Sequence, residues 1–261
     1  MNAILEIQGL NLRFGGVCAL SNVNLDVKAG EIVALIGPNG AGKTSLFNCL
    51  TGLSTPGEGE IKLQRADKNV ISLKGLKPNQ ITRHGVARTF QNIRLFRNMS
   101  VLENVMIGRH CRTTSLITGA LLRSPSQRRE EAETIAFGYA LLHKLGLAKV
   151  ADEFAGNLPY GAQRRLEIAR ALATEPTLLL LDEPAAGMNP SETRELDSII
   201  QNIQSEKIAI LLIEHDIKLV MSISQRIFVM DYGQIIAAGS PQEVRAEPAV
   251  IEAYLGKSED A

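Results

Sequence analysis

The sequence predicts an α/β fold with three parts: a parallel-sheet core, an N-terminal antiparallel β subdomain, and an α-helical subdomain inserted into the core. Apolar runs at residues 31–36 and 178–182 have the composition of strands that are buried on both faces. Residues 4–28 alternate apolar and polar side chains, as strands of a half-exposed antiparallel sheet do. Residues 92–165 carry few strand signals and are rich in Leu, Arg and Glu, which favours helices.

The elements follow in order along the 261 residues. The antiparallel strands come first, and the core begins at Glu31 with a strand, a glycine-rich loop and a helix. Later strands are expected at 61–63, 178–182, 208–213, 227–230 and 235–237, with an inserted helix at 126–145 and a closing helix after Pro241. We predict one domain, with the core and antiparallel subdomain in residues 1–91 and 166–240, the helical subdomain in 92–165, and a C-terminal helix and tail in 241–261.

The composition excludes several classes of function. The 28 basic and 28 acidic side chains balance, so no global field attracts nucleic acid and we expect no nucleic-acid partner. The three cysteines are far apart in the chain and indicate a reducing compartment. We find no signal-peptide pattern and no apolar run of the ~20 residues that a membrane span needs. The sequence therefore predicts a soluble cytosolic protein that reaches a membrane only through a partner.

Four arginines cluster around the join between the core and the helical insert, namely Arg83, Arg88, Arg94 and Arg97. They form either a solvated charged face or a surface that docks a partner, and the sequence does not separate the two. Both alternatives place the four side chains at the surface of the protein.

The loop after the first core strand fits the pattern G-x-x-x-x-G-K-[ST], which holds nucleotide phosphates. Its glycines let backbone N–H groups turn toward an anion, Lys43 reaches the terminal phosphates, and Thr44 offers its hydroxyl to Mg²⁺. The helix that follows adds its N-terminal dipole. A chance glycine-rich turn would not need a strand before it and a helix after it. The predicted nucleotide contacts in this loop are Gly37, Pro38, Asn39, Gly40, Ala41, Gly42, Lys43, Thr44 and Ser45.

Two carboxylates, Asp182 and Glu183, follow directly on the leucine-rich strand. The carboxyl end of a buried parallel strand points into the crevice where α/β folds bind ligands. Asp182 is therefore a candidate ligand of Mg²⁺, and Glu183 is placed to polarise a water that attacks a γ-phosphate. The alternative is that the two acids cap the next helix, which the presence of the phosphate loop makes the weaker interpretation.

Three single residues lie where they could meet a nucleotide. Gln91, at the join between core and insert, offers both a donor and an acceptor to Mg²⁺ and the attacking water. His215 follows the predicted strand at 208–213 and could donate a hydrogen bond to a γ-phosphate oxygen. Phe14 could stack on an adenine ring. Each also has a structural interpretation, as a surface glutamine, a hydrogen-bonded histidine and a core phenylalanine.

A turn with proline and glycine leads into a strongly helical stretch within residues 157–172. Backbone N–H groups without helical partners gather at such a helix start, which makes it a second end that attracts phosphate. Since the first such end already holds a nucleotide, we predict that this one serves a nucleotide held by another subunit. The residues concerned are Leu158, Pro159, Tyr160, Gly161 and Ala162.

Taken in order, these motifs resemble the ATP-binding cassette (ABC) family along essentially the whole chain. In that family the phosphate loop is Walker A, Gln91 is the glutamine loop, and residues 158–162 are the signature. Residues 178–183 are Walker B with its glutamate, residues 185–190 are the D-loop, and His215 is the switch histidine.

The resemblance implies a P-loop NTPase (RecA-like) core that uses ATP and Mg²⁺. Lys43, Glu183 and His215 would be catalytic, and Thr44, Gln91 and Asp182 would face the metal. It also implies a head-to-tail dimer, in which two ATP molecules lie between Walker A of one chain and the signature of the other.

Residues 88–96, 158–161 and 183–190 look more narrowly like the ATPase subunit of high-affinity branched-chain amino acid importers. That resemblance implies a peripheral protein on the cytoplasmic face of the bacterial inner membrane. Its partners would be a second ABC ATPase subunit or a second copy, two transmembrane permease subunits and, indirectly, a periplasmic binding protein. The permease would dock near residues 91–105.

Two departures from the family pattern bear on the mechanism. Pro159 replaces a serine of the signature, and it offers neither a hydroxyl nor a backbone N–H to a phosphate. Asn189 replaces the usual aspartate of the D-loop, which removes a charge. We expect asymmetry: the ATP site that uses this chain's signature should be the weaker one.

Other functions remain open on the sequence. The same kind of ATPase subunit could power the import of urea or amides or the export of lipopolysaccharide, because other subunits determine the cargo. A non-transport cassette that acts on DNA or ribosomes would need a long coiled-coil insertion, a second cassette or a basic surface. A stand-alone phosphate-loop kinase would need an acceptor-binding lid and would not need the signature.

Overall fold

The computed structural model describes residues 3–112 and 125–255. The chain divides into two compact units, one of residues 1–91 with 177–261 and the other of residues 92–176. The first boundary coincides with the predicted end of the core segment at Gln91. The second lies later than the expected 165/166, because the signature helix runs unbroken over Tyr160–Leu172.

The described strands, in chain order, are β1 (Ala3–Phe14), β2 (Val17–Lys28), β3 (Ile32–Ile36), β4 (Glu58–Gln64), β5 (Val70–Ser72), β6 (Val86–Arg88), β7 (Leu178–Asp182), β8 (Ala209–Ile213), β9 (Arg226–Asp231) and β10 (Gln234–Gly239). The described α-helices are α1 (Lys43–Leu50), α2 (Pro78–Arg83), α3 (Val101–Arg109), α4 (Pro125–Lys144), α5 (Tyr160–Leu172), α6 (Pro190–Ser205), α7 (Ile217–Ile223), α8 (Pro241–Ala246) and α9 (Pro248–Leu255). Short 3₁₀ turns cover His110–Arg112, Ala148–Val150 and Ala155–Asn157.

The larger unit begins with a four-stranded antiparallel sheet in the order β2-β1-β4-β5. The alternation that predicted its first two strands is visible in the burial of Leu5 and Ile7 and, after an irregularity in the pairing of β1 with β2, in the burial of Leu10 and Leu12. β4 extends the strand expected at 61–63 by three residues at its start and one at its end. The predicted antiparallel subdomain is confirmed.

The second sheet of this unit has six strands in the order β10-β9-β3-β8-β7-β6, all parallel except for the antiparallel edge strand β10. Every residue of β3, β7 and β8 is buried, as their unbroken apolar composition requires. Because β3, β8, β7 and β6 are parallel neighbours, their carboxyl ends lie along one edge of the sheet. The segments that follow these four strands carry the Walker A loop, Gln91, Glu183 and His215.

Several elements of this unit were not predicted from the sequence, among them β5, α2 and β6. β6 has only three residues, too few for a periodicity signal, yet it pairs with β7 over its whole length. The single closing helix that we expected is two helices, α8 and α9. Proline at position 248 starts the second of them, because its ring lacks the N–H that would continue the first helix.

The smaller unit is helical, as predicted, and is built from α3, α4 and α5. A capping box of Ser100 and Glu103 starts α3, and the predicted helix at 126–145 is α4. The buried Asn104 side chain bonds the backbone of Phe96 through both its oxygen and its nitrogen. Within the two described ranges, no helix is both long enough and apolar enough to cross a membrane.

Candidate nucleotide site

The Walker A loop joins the end of β3 to the start of α1, and its geometry requires glycine at two positions. Gly37 has φ of 151°, and a Cβ there would lie closer than 3.0 Å to the carbonyl oxygen of Met230. Gly42, the residue before α1, has φ of 107°, and a Cβ there would lie 2.6 Å from the carbonyl oxygen of Ala19. The loop can therefore follow this path only because side chains are missing at both points.

The Lys43 side chain folds back over this loop. Its Nζ donates to the carbonyl oxygens of Gly37 at 2.7 Å and Pro38 at 2.9 Å, and the residue is only 6% exposed. An ammonium group held by neutral carbonyls keeps its charge available for an anion in the same place. Lys43 thus places a buried positive charge at the N-terminus of α1, where the helix dipole has the same sign.

A cavity of about 340 Å³ lies against the loop. The residues that line it are Asn39, Gly40, Ala41, Gly42, Lys43, Thr44 and Ser45 of the loop, together with Gln91, Glu183, His215, Val17, Cys18 and Ala19. The structure thus brings together most of the predicted site. Gly37, Pro38, Asp182 and Phe14 do not line it; the first two meet it through the bonds they accept from Lys43.

Val17, Cys18 and Ala19, which begin β2, line the cavity but were not among the predicted site residues. Phe14 of the same hairpin was among them, and its side chain is 53% exposed at the end of β1, not in the core. The alternating pattern of an antiparallel strand shows which side chains face the core. It does not show which exposed ones face a ligand.

Three predicted residues form one hydrogen-bonded group at the carboxyl edge of the parallel sheet. The Glu183 carboxylate lies 2.9 Å from His215 Nε2 through Oε1, and its Oε2 accepts a 2.8 Å hydrogen bond from Gln91 Nε2. The residues belong to the loops after β7, β8 and β6, which the sheet order makes neighbours. Glu183 has φ of 48°, a left-handed backbone conformation that costs on the order of 1–3 kcal/mol for such a residue.

Asp182 is buried and faces a different partner. Its Oδ2 pairs with Arg88 Nη2 at 2.7 Å, and its backbone N–H donates to Thr89 Oγ1 at 3.3 Å. Both side chains of the ion pair are nearly inaccessible, at 6% and 5% exposure. The expectation that Arg88 belongs to a charged surface is therefore wrong, because its guanidinium forms an ion pair with the buried Asp182 carboxylate at the end of β7.

Glu214, a residue that the sequence did not single out, connects two loops of the site. It is buried, and its carboxylate accepts backbone hydrogen bonds from Ala185 at 2.7 Å, His215 at 3.0 Å and Asp216 at 3.4 Å. Burial raises the pKa of this carboxyl, and the three N–H groups oppose that shift. Glu214 therefore ties the segment after β7 to the segment after β8.

Asn189, the departure in the D-loop, has a clear local function as the N-cap of α6. Its side-chain oxygen accepts from the backbone of Ser191 at 2.9 Å and Glu192 at 3.0 Å, and Glu192 bonds back to complete a capping box. Asparagine and aspartate cap helices about equally well, so the substitution keeps the helix start and removes only the charge.

The signature residues lie together in the helical unit. Pro159 is the N-cap of α5, and Gly161 and Ala162 fall in its first turn, where backbone N–H groups lack partners inside the helix. Leu158 is buried, while Tyr160 is 43% exposed. Behind them, Arg164 and Glu167 form a buried ion pair at 2.9 Å, and Arg164 also reaches the Tyr160 hydroxyl at 3.3 Å. These contacts join the first and second turns of α5 to each other.

Comparison with known protein families identifies the family to which this chain belongs. Residues 20–186 match the family model described as ABC transporter, and residues 234–260 match one described as branched-chain amino acid ATP-binding cassette transporter. The chain belongs to the ABC transporter ATP-binding family. It is an ATPase of that family, and the predicted fold is confirmed.

Several curated relatives of this ABC ATPase cover nearly the whole of both chains. The high-affinity branched-chain amino acid transport ATP-binding protein LivG of Escherichia coli (strain K12) is 50% identical, over 98% of each chain. The protein BraF of Pseudomonas aeruginosa, described in the same words, is 46% identical over the same shares. The lipopolysaccharide export system ATP-binding protein LptB of Acidithiobacillus ferridurans is 34% identical, again over 98% of each.

Among solved structures, the ATP-binding cassette of an ABC transporter in its ADP conformation superposes with a TM-score of 0.84. It is 32% identical and is covered over 100% of its length by 98% of this chain. A nucleotide-free cassette gives a TM-score of 0.82 at 30% identity, with 97% of this chain and 99% of that one covered.

Proposed function

We propose that this chain is the ATP-hydrolysing subunit of an importer for the branched-chain amino acids leucine, isoleucine and valine. The hydrolytic part of the proposal is carried by one observation: Glu183, held between His215 and Gln91, faces the same cavity as the Walker A loop. The cargo is supported by relatives of 46–50% identity with that transport named, and by the match at residues 234–260.

The nucleotide phosphates would lie on the Walker A loop. Lys43 would exchange its bonds to Gly37 and Pro38 for bonds to the terminal phosphates, which costs little because neutral carbonyls are weak competitors for an ammonium group. The start of α1 adds backbone N–H groups and the helix dipole. Phe14, exposed at the end of β1, would stack on the adenine ring.

Mg²⁺ would be held by the Thr44 hydroxyl, the Gln91 side-chain carbonyl and the Asp182 carboxylate. These are hard oxygen donors of the kind that Mg²⁺ prefers alongside phosphate oxygens and water. The described residues contain no cluster of three or more His, Cys, Asp or Glu that could hold a metal ion. A site with few protein ligands fits an ion that arrives with the nucleotide. When bound, it would neutralise charge on the β- and γ-phosphates.

Hydrolysis would then proceed from the Glu183 carboxylate. It accepts a hydrogen bond from a water and aims the oxygen at the γ-phosphorus; the bond to the bridging oxygen breaks, and ADP and phosphate leave. The water's proton passes to Glu183 or to the phosphate. His215, whose Nε2 contacts the Glu183 carboxylate in this structure, would instead donate to a γ-phosphate oxygen when ATP is bound, and Gln91 would contact Mg²⁺ and the attacking water. Most of the rate comes from positioning and charge stabilisation.

A second cassette would complete each ATP site, either a LivF-like subunit or another copy of this chain. Residues 158–162 would meet the nucleotide of that partner through the first turn of α5. In the closed pair both cassettes contact each ATP, whereas in the open pair only one does. ATP therefore shifts the population of the pair toward the closed state, and hydrolysis reverses that shift.

Transport also needs two transmembrane permease subunits and a periplasmic binding protein, which would place this chain peripherally on the cytoplasmic face of the bacterial inner membrane. The helical unit offers a suitable docking groove on and beside α3. A mainly apolar cavity of about 370 Å³ is lined there by Met99, Glu103, Met106, Ile107 and His110.

The proposal is tested by transport in proteoliposomes that contain this chain, its permease and a companion ATPase, with the binding protein outside and ATP inside. Labelled leucine, isoleucine and valine should accumulate, and Glu183→Gln should abolish accumulation while the complex stays assembled. Uptake of urea or short amides instead, or extraction of lipopolysaccharide without amino acid uptake, would overturn the cargo.

A further inference from the structure

Arg88 ends β6, three residues before Gln91, and its guanidinium group is buried among three elements of the larger unit. Nη2 bonds Asp182 Oδ2 at 2.7 Å, at the end of β7. Nη1 bonds Asn48 Oδ1 at 2.8 Å and Thr51 Oγ1 at 3.3 Å, at the C-terminal end of α1. The same group therefore joins the Walker B strand to the helix that follows Walker A.

Two aromatic rings complete its surroundings. The guanidinium carbon lies 5.4 Å from the centroid of the Phe47 ring and 5.1 Å from that of Phe90, distances at which a cation is attracted by the ring. Phe90 immediately precedes Gln91. These hydrogen bonds and rings restrict the position of the guanidinium. A lysine ammonium lacks the planar set of donors that bonds two elements and stacks on the rings at the same time.

The Arg88 guanidinium in turn restricts the side chain of Asp182. Its Oδ2 is bonded to Arg88, so the ion pair restricts the orientation of the carboxylate and Oδ1 is the oxygen outside this pair. A carboxylate that serves a metal is usually held by such an outer partner, and loss of the partner typically weakens metal affinity or activity by about 10–100-fold.

We infer that Arg88 is a positioning residue that orients the Walker B carboxylate for Mg²⁺, and that it thereby sets the Mg²⁺ concentration that nucleotide binding and hydrolysis require. The inference rests on the proposed function, because Mg²⁺ at Asp182 is part of that proposal. It concerns the metal only, so nucleotide binding without metal should depend little on Arg88.

The test uses the full chain with Arg88→Met and Arg88→Lys, and Arg226→Met as the matched control. Arg226 also pairs with carboxylates, Asp26 at 2.9 Å and Glu31 at 2.6 Å, and also lies over a phenylalanine ring, that of Phe228 at 5.5 Å. It does not line the cavity. The measurements are thermal unfolding, ATP affinity in EDTA, Mn²⁺ affinity by electron paramagnetic resonance in the presence of ATP, and the Mg²⁺ dependence of hydrolysis at saturating ATP.

Arg88→Met should weaken Mn²⁺ binding and raise the half-maximal Mg²⁺ concentration by roughly tenfold or more, with a smaller shift for Arg88→Lys. ATP affinity in EDTA should change less than about twofold. No metal is bound under that condition, so the orientation of the Asp182 carboxylate has no effect on binding. Arg226→Met should lower the unfolding temperature and leave the metal dependence unchanged.

A folded Arg88→Met with the wild-type metal dependence would overturn the inference. If that variant does not fold, an unshifted metal dependence in Arg88→Lys would do the same, and so would an equal shift in Arg226→Met. Wild-type protein that binds ATP equally well with and without Mg²⁺ would instead contradict the proposed metal site itself.

Discussion

Both the backbone and the side chain of Glu183 are constrained by their surroundings. Its backbone has the left-handed φ of 48° and donates to Ile213 O at 2.9 Å, while its carboxylate bonds His215 and Gln91. A strained conformation persists only where the surroundings over-determine it, and here strand pairing and two side chains do so. The strain therefore belongs to the arrangement that aims the carboxylate into the cavity.

Gly37 gives the sharpest prediction at the residue scale. Gly37→Ala should lower the free energy of unfolding by about 3 kcal/mol and weaken ATP binding, because the new Cβ overlaps the carbonyl oxygen of Met230 in the neighbouring strand. Chemical denaturation and equilibrium nucleotide binding measure the two effects.

Gly16→Ala is the control, because a Cβ there meets no atom of the described chain within 4 Å. It should leave both quantities nearly unchanged. Equal stability of the two variants would show that the Walker A loop does not take the path described.

At the scale of elements, the site depends on loops that adjacent parallel strands deliver to one edge. Glu214 is the clearest connection between two of them, since one buried carboxylate accepts N–H groups from the segments after β7 and after β8. The D-loop and the switch histidine therefore share an anchor. A movement of either segment would disturb the hydrogen bonds of the other.

Glu214→Gln tests this anchor through pH. Burial raises the pKa of the folded-state carboxyl above its usual value of 4.5, so the unfolded chain releases the proton first as pH rises. The contribution of Glu214 to stability is complete below pH 4.5 and is lost as pH rises from there through the folded pKa.

Glutamine cannot ionise, so the unfolding free energy of wild type minus that of Glu214→Gln should fall over this window. Denaturant titrations of both proteins at several pH values provide the measurement. A difference that rises with pH, or stays constant, would show that burial does not govern this carboxyl.

For the molecule as a whole, the sequence was sufficient to predict a site residue where that residue lies next to a strand that is itself recognisable from the sequence. The Walker A loop, the pair Asp182–Glu183 and His215 each follow a recognisable buried strand, and strand order then brings them together. Gln91 was predicted from its position at the join between the units, with weaker local support.

Other parts of the site depend on pairings that leave no local pattern. Arg88 and Asp182 are 94 residues apart, and Ala185 and Glu214 are 29 apart. The arginine looked like a surface charge because nothing near it in sequence shows that a buried carboxylate would meet it. The three-residue strand β6 was missed for a related reason, since its evidence is its pairing with β7.

The assembled transporter should hydrolyse ATP unequally at its two sites. Pro159 supplies neither an N–H nor a hydroxyl at the start of α5, so this chain's signature offers fewer donors than one with the family's usual serine, and the site that it completes should be the weaker one. In single-turnover assays with the companion ATPase, Glu183→Gln in this chain should cost more hydrolysis than the equivalent change in the companion. Equal losses would argue against asymmetry.

The most direct test of the central claim is the ATPase rate of the reconstituted complex with and without leucine-loaded binding protein. Loaded binding protein should stimulate hydrolysis, and Glu183→Gln should remove both the stimulated and the basal rate while ATP still binds. Stimulation that survives Glu183→Gln, or a wild-type rate that ignores loaded binding protein, would contradict it.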